Sequence, residues 1–218
     1  MAHYEGEPVT RWLKDGRRVQ LLEPFAFVDD AGLRWEVPSH AIVDGASIPK
    51  PLWSLIGGPF EGPYRDASIV HDWYCDVRSR PWRDVHRMFH AAMIASAVSP
   101  YFARLLYAGV YMGGPRWSET TVANAALATD DYLKASQPGS RTLHFPQPAD
   151  PRRDMSGYAV AFPRPDSMVT KVYRFDVDAA DIERLKTLAE DDADLDAIEA
   201  AVDERVGDRA ETVLKVVP

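Results

Sequence analysis

The chain has 218 residues, 46% of them hydrophobic, and a formal net charge of −8. This length suits one sizeable core with a smaller appendage, and the composition excludes a disordered protein. Fourteen acidic and four basic residues lie within 176–211, a balance of −10, so the rest of the chain sums to +2. A main body so close to neutral lacks the basic stripe that nucleic-acid binding needs, and we expect no nucleic-acid partner.

The first twelve residues, MAHYEGEPVTRW, lack the basic segment and apolar run of a signal peptide. No window approaches the roughly eighteen apolar residues that a membrane span requires. We therefore expect a soluble, cytoplasmic protein. The single cysteine, Cys75, cannot form an internal disulfide, so its thiol is free, metal-bound or used between chains.

The first forty residues alternate short apolar runs with turn signals. The segments KDG and DDAG suit tight turns, because Asp and Gly tolerate the backbone angles that such turns need. The pattern predicts a small antiparallel sheet with the following apolar side chains: Val19, Leu21, Phe25, Phe27, Leu33, Trp35 and Val37.

The segment that starts at Asp44, DGASIPKPLWSLIGGPFEGP, is rich in Gly and Pro and predicts a shaped loop with one short helix around 50–56. Ser47 suits a helix N-cap just before Pro49. Its alternative role is a nucleophile for His71, although the chain has no G-x-S-x-G elbow to support that role.

Apolar spacing then predicts three helices, over 66–78, from Pro81 onward, and from Pro100 to Gly113, with a fourth within 117–135. A Pro-rich linker follows at 136–168, with one strand at 158–162. Residues 169–218 read as a strand, two acidic amphipathic helices and a returning strand.

The expected fold class is α+β: a small N-terminal antiparallel sheet packed on a helical hairpin core (1–135), followed by the linker and an acidic β-α-α-β appendage (169–218). The acidic helices are either a solvated face of this appendage or a docking surface for a protein partner.

The helical hairpin carries the candidate chemistry. If the chain reverses near Arg78, His71 and His86 face each other about 10 Å from the turn. Asp72 follows His71, and a histidine beside a carboxylate suits a general base acting on water. We predict His71, Asp72 and His86 as catalytic residues. With Asp44 from the facing loop, the same three residues are the predicted ligands of a divalent metal.

Several alternatives stay open. The spacing H-x3-C-x10-H-x3-H resembles a zinc site that would add Cys75 and His90, but His90 lies about one turn beyond His86. Cys75 could act as a nucleophile or pack as a small apolar group beside Trp82. Asp84 could supply a second carboxylate. His71 could also be a buried, hydrogen-bonded core histidine.

The ordered motifs DGASIP, HDWYC, PW-x3-H and GPRW make residues 10–118 similar to the domain of unknown function 1353 family, found in phages, prophages and bacteria. This resemblance implies a phage link, including a virion location, but no activity. A weaker likeness is to secreted phospholipases A2, in which a His-Asp pair follows a Gly-rich loop. Two hypotheses result. The first is hydrolysis of an ester or amide by activated water. The second is a non-enzymatic assembly or accessory factor, in which the same His/Asp residues hold the helical hairpin to the DGASIP loop by buried hydrogen bonds.

Overall fold

The computed structural model describes residues 1–46, 48–49, 52, 60, 62–117, 172–207 and 215–217. Several predicted features lie outside this range: Ser47, most of the short helix at 50–56, the helix within 117–135, the linker at 136–168 and the strand at 158–162.

Residues 3–43 form two three-stranded antiparallel sheets instead of the one sheet that was predicted. One sheet has the order β1-β4-β5 and the other β2-β3-β6. Pro24, which has no N–H to donate to a ladder, stands between β3 and β4, and these two strands join different sheets. The strands are β1 His3–Glu5, β2 Thr10–Trp12, β3 Val19–Leu21, β4 Phe25–Val28, β5 Arg34–Val37 and β6 Ile42–Val43.

The predicted turn at DDAG joins β4 to β5. Asp29 Oδ1 accepts the backbone N–H groups of Ala31 at 3.0 Å and Leu33 at 2.9 Å. Gly32 takes a left-handed φ of 79°, which glycine adopts without a steric penalty. Asp29 and Gly32 of the DDAG segment therefore form the turn that the sequence predicted.

Three helices follow, close to their predicted bounds: α1 Arg65–Val77, α2 Trp82–Ala95 and α3 Pro100–Gly113. Arg78 ends α1 with a left-handed φ of 53°, and the chain reverses there into α2. Ser99 caps α3 by accepting the N–H of Phe102. None of the helices in the described ranges is long and apolar enough to cross a bilayer.

The sheets pack on the helical hairpin through buried side chains that also make polar contacts. The Tyr74 hydroxyl of α1 accepts the Glu36 N–H at 3.1 Å. The Tyr4 hydroxyl of β1 donates to the Ala92 carbonyl of α2 at 2.9 Å. Both contacts come from the β1-β4-β5 sheet and hold it against the helices that carry the candidate site.

The C-terminal part confirms the predicted β-α-α-β order: β7 Val172–Arg174, α4 Ala179–Glu190, α5 Leu195–Gly207 and β8 Lys215–Val217, with β7 and β8 antiparallel. We call these residues, 172–207 and 215–217, the C-terminal unit. A capping box between Asp178 and Asp181 starts α4. The apolar faces of α4 and α5 join the same hydrophobic core as α3; their buried members are Ile182, Leu185, Ala189, Ile198 and Val202.

Candidate functional site

Two histidines face each other inside the α1–α2 hairpin. His71 Nε2 and His86 Nδ1 are 2.9 Å apart, so one ring nitrogen donates a hydrogen bond to the other. Neither side chain has any solvent exposure. The His71 ring also packs against Phe89, with ring centroids 4.6 Å apart. His71 and His86 thus face each other, as the position of the turn predicted.

Cys75 lies one helical turn after His71 and joins the same cluster. Its Sγ is 3.6 Å from His71 Nε2, because residues four apart share a helix face. The donor atoms of His71, Cys75 and His86 all lie within 4.8 Å of one another, and the three residues are buried. Cys75 is therefore both a packed core residue and a potential ligand, two roles that had been treated as alternatives.

Burial sets the charge of this cluster. It lowers the pKa of His71 to about 3. The pKa of His86 falls well below its ordinary value through burial and then through His71 and Arg116, while the Pro115 carbonyl opposes this shift. The pKa of the Cys75 thiol rises well above its ordinary value, mainly through burial and next through Asp72. All three side chains are consequently uncharged at neutral pH.

Asp72 binds the DGASIP loop instead of His71. Its Oδ2 accepts the backbone N–H of Asp44 at 2.6 Å, and its carboxylate also accepts the N–H of Gly45. Burial raises the pKa of Asp72, and the nearby charges of Asp76 and Asp44 raise it further, against the effect of the two N–H donors. We expected the Asp72 carboxylate to act beside His71, whereas in the structure it binds the backbone of the loop.

The Asp44 carboxylate pairs with an arginine. Its Oδ2 accepts a hydrogen bond from Arg17 Nη2 at 2.6 Å in a partly exposed ion pair. The four residues predicted as metal ligands thus separate into two groups, the His71–His86 pair and the Asp72–Asp44 loop contact. Among the described residues, the donors that converge are His71, Cys75 and His86.

His90 and Asp84 lie outside the cluster. The ring of His90 packs against Tyr107, with centroids 5.7 Å apart. Burial, and next Arg104, lower the pKa of His90 to about 4. Asp84 is exposed in the first turn of α2. His90 therefore lies apart from the other donors, as expected from its position about one turn beyond His86.

The far side of His86 is walled by residues that sequence reasoning did not assign to the site. Trp82 packs edge-on at a centroid distance of 5.6 Å, and Tyr111 does so at 6.4 Å. A Cβ on Gly114 would lie 3.2 Å from His86 Nε2. That nitrogen is buried and has no hydrogen-bond partner of standard geometry among the described residues. The motif GPRW, which begins at Gly114, was the sequence feature that could have indicated that this segment lies beside His86.

Residues 19–110 match the family model described as Protein of unknown function (DUF1353). This match contains His71, Cys75 and His86 and ends before Tyr111 and the C-terminal unit. It supports the family resemblance over this range but not the expected phage association.

Two relatives from Sinorhizobium fredii (strain NBRC 101917 / NGR234) are similar to this chain, and both carry the description of an uncharacterized protein. Uncharacterized protein y4jT is 47% identical over 106 residues, which are 48% of this chain and 32% of the relative. Uncharacterized protein y4iH is 41% identical over 132 residues, which are 61% of this chain and 55% of the relative. This chain therefore spans about a third and about half of their lengths. No solved structure matches.

Proposed function

We propose that this chain is a metal-binding protein and that His71, Cys75 and His86 hold a divalent ion of the zinc class. The observation that carries the proposal is the convergence of three donor atoms within 4.8 Å. Imidazole nitrogen and cysteine sulfur are the donors that zinc prefers. Both imidazoles are neutral, as coordination requires, and the thiol would lose its proton to the solvent on binding.

The distances fit such an ion. Tetrahedral zinc separates a bound sulfur from a bound nitrogen by about 3.5 Å, and two bound nitrogens by about 3.3 Å. The observed separations are 3.6 Å between Cys75 Sγ and His71 Nε2 and 2.9 Å between His71 Nε2 and His86 Nδ1. The third separation, between the donor atoms of Cys75 and His86, lies within 4.8 Å. Binding would therefore open the histidine pair by a few tenths of an ångström and bring Cys75 and His86 to about 3.5 Å.

Three protein donors leave a fourth position for water or substrate, which is the pattern of catalytic zinc sites. In this form the hydrolase expected from the sequence would act on an ester or amide through metal-bound water. Asp72 would shape the loop beside the site and would not act as a base. A hydrolase of a cell-wall or lipid substrate in a phage or prophage is the finer form of this proposal.

The test is the metal content and cobalt spectrum of the full chain. We expect about one zinc per chain, and a cobalt(II) form with a thiolate-to-metal absorption band. Cys75→Ser should abolish the band, and His86→Ala should remove most of the metal. His90→Ala is the matched control, since it removes a half-buried histidine one turn along the same helix and should leave both signals intact. Chain that binds neither metal at micromolar concentration would disprove the proposal.

The second candidate is the non-enzymatic accessory factor, favoured by the complete burial of His71 and His86. In that case the pair is a sealed polar contact between α1 and α2. His71→Ala would then lower the free energy of unfolding by about 1–3 kcal/mol, the cost of leaving a buried partner unpaired, in protein that never held metal. If instead a chelator destabilises wild type but not His71→Ala, the metal centre is supported.

A further inference from the structure

One carboxylate of the acidic helix α5 binds the wall that flanks His86. Asp203 Oδ2 accepts hydrogen bonds from the Tyr111 hydroxyl at 3.0 Å and from Arg83 Nη2 at 3.2 Å. Its Oδ1 accepts from Arg116 Nη1 at 3.3 Å. Arg83 Nε in turn donates to the Tyr111 hydroxyl at 3.1 Å. We call these four residues, Asp203, Arg83, Tyr111 and Arg116, the Asp203 clamp.

Three members of the clamp pack on the Trp82 ring. The guanidinium carbon of Arg83 lies 4.3 Å from the ring centroid, and that of Arg116 lies 4.6 Å from it. Tyr111 packs against the same ring at 5.1 Å. Trp82 and Tyr111 are the two aromatic neighbours of His86 on this side. Asp203 thus reaches the proposed metal centre through one layer of side chains.

A second carboxylate of α5 makes an equivalent contact that does not reach His86. Glu199 Oε1 accepts from the Tyr107 hydroxyl and from Arg87 Nε, each at 2.5 Å. Tyr107 packs on His90, which lies outside the cluster. Glu199 and Asp203 are four residues apart, and each bonds one tyrosine of α3 and one arginine of α2. They therefore make a matched pair with different neighbours.

We propose that Asp203 is a positioning residue of the candidate centre, and that docking of α5 through Asp203 controls access to His71, Cys75 and His86. While the clamp is formed, Trp82 and Tyr111 stay packed against His86, and metal or small reagents exchange slowly. When the clamp opens, this wall loosens and exchange accelerates. The part of this inference that concerns metal rests on the proposed function, whereas the part that concerns access does not.

The test compares Asp203→Asn with Glu199→Gln in the full chain, using two readouts. The first is the rate at which iodoacetamide alkylates the metal-free protein, which reports on access to Cys75 because the chain has one cysteine. The second is the rate of zinc release to a chromogenic chelator. Both substitutions remove one negative charge and keep the side-chain shape, and urea unfolding records what each does to global stability.

We expect Asp203→Asn to raise both rates roughly ten-fold, within the usual range of coupling between linked sites. Glu199→Gln should change them less than about two-fold at similar loss of global stability. Equal acceleration in both variants, or none in either, would overturn the clamp. Faster alkylation by Asp203→Asn in a protein that binds no zinc would keep the clamp and refute the metal centre. If Asp203→Asn binds zinc and its rates of zinc release and alkylation are unchanged, the metal centre is kept and the clamp is refuted.

Discussion

Substitutions of Asp72 distinguish a structural role from a catalytic one, because its carboxylate accepts two backbone N–H groups of the DGASIP loop. Asp72→Ala leaves the backbone N–H groups of Asp44 and Gly45 without their acceptor. Each unpaired buried donor costs about 1–3 kcal/mol. Since Asp44 is only half-buried, we expect a total loss of about 3 kcal/mol in the free energy of unfolding.

Asp72→Asn should behave differently, because it keeps a carbonyl acceptor and removes the repulsion from Asp76 and Asp44. We expect its stability at pH 7 to lie within about 1 kcal/mol of wild type. The pKa of Asp72 is raised in the folded state, so the folded chain binds the proton more tightly than the unfolded chain does. The charge therefore destabilises the wild type at neutral pH. The variant's relative stability should fall on acidification towards the ordinary carboxyl pKa of about 4.

The assay is urea unfolding of the three proteins between pH 4 and pH 7, with zinc content measured in parallel. Asp84→Ala is the control, since this exposed carboxylate should cost less than about 1 kcal/mol. We expect both Asp72 variants to retain zinc wherever they are folded. An Asp72→Asn protein that kept its stability but lost metal or activity would refute the structural role of Asp72.

Three further changes test the packing around the centre. Gly114→Ala would press its Cβ against the Val110 carbonyl oxygen of α3 and place it 3.2 Å from His86 Nε2. We expect a loss of about 1–3 kcal/mol in urea unfolding and weaker cobalt binding, and unchanged values would contradict this close approach. Tyr4→Phe removes the donor to the Ala92 carbonyl, so thermal unfolding should show a loss of about 1 kcal/mol without a change in metal content. In the metal-free protein the pKa of His71 falls to about 3, so the unfolded chain protonates first and stability should drop by up to about 5 kcal/mol from pH 6.5 to 3; a His71→Asn variant with the same pH slope would contradict this assignment.

The α1–α2 hairpin could be predicted closely because its contacts are local. Helical periodicity fixes which residues share a face, and a turn near Arg78 then sets His71 opposite His86 at a separation of only fifteen residues. The same periodicity placed Cys75 on the face of His71. What the spacing left open was whether the thiol packs or ligates, and in this geometry the two are compatible.

The role of Asp72 was harder to predict, because its partners are backbone N–H groups. Every residue except proline has a backbone N–H, so no sequence motif identifies the one that a side chain will bind. The neighbouring histidine was the visible candidate, and on a helix consecutive side chains point about 100° apart. The loop contact was foreseen only within the structural hypothesis, in which buried hydrogen bonds join the hairpin to DGASIP.

The division of the N-terminal strands into two sheets had a similar cause. Alternation identifies a strand and its buried face, but pairing partners are set by the path of the chain between strands. The residues at 22–24, with Pro24 among them, separate β3 from β4 and send them to different sheets. Leu33, predicted to lie in an extended segment, stands just before β5 beside the turn, and its side chain is 47% exposed.

The charge composition of the acidic helices allowed two interpretations. A balance of −10 over 176–211 suggested either solvation or an external partner. In the structure, Asp203 and Glu199 bind arginines and tyrosines of α2 and α3, about ninety to one hundred and twenty residues earlier. Such long-range pairing leaves no periodic signal in the sequence. An external partner stays a prediction for the carboxylates on the outer faces, whereas Glu199 and Asp203 of α5 face the arginines Arg87 and Arg83 of α2.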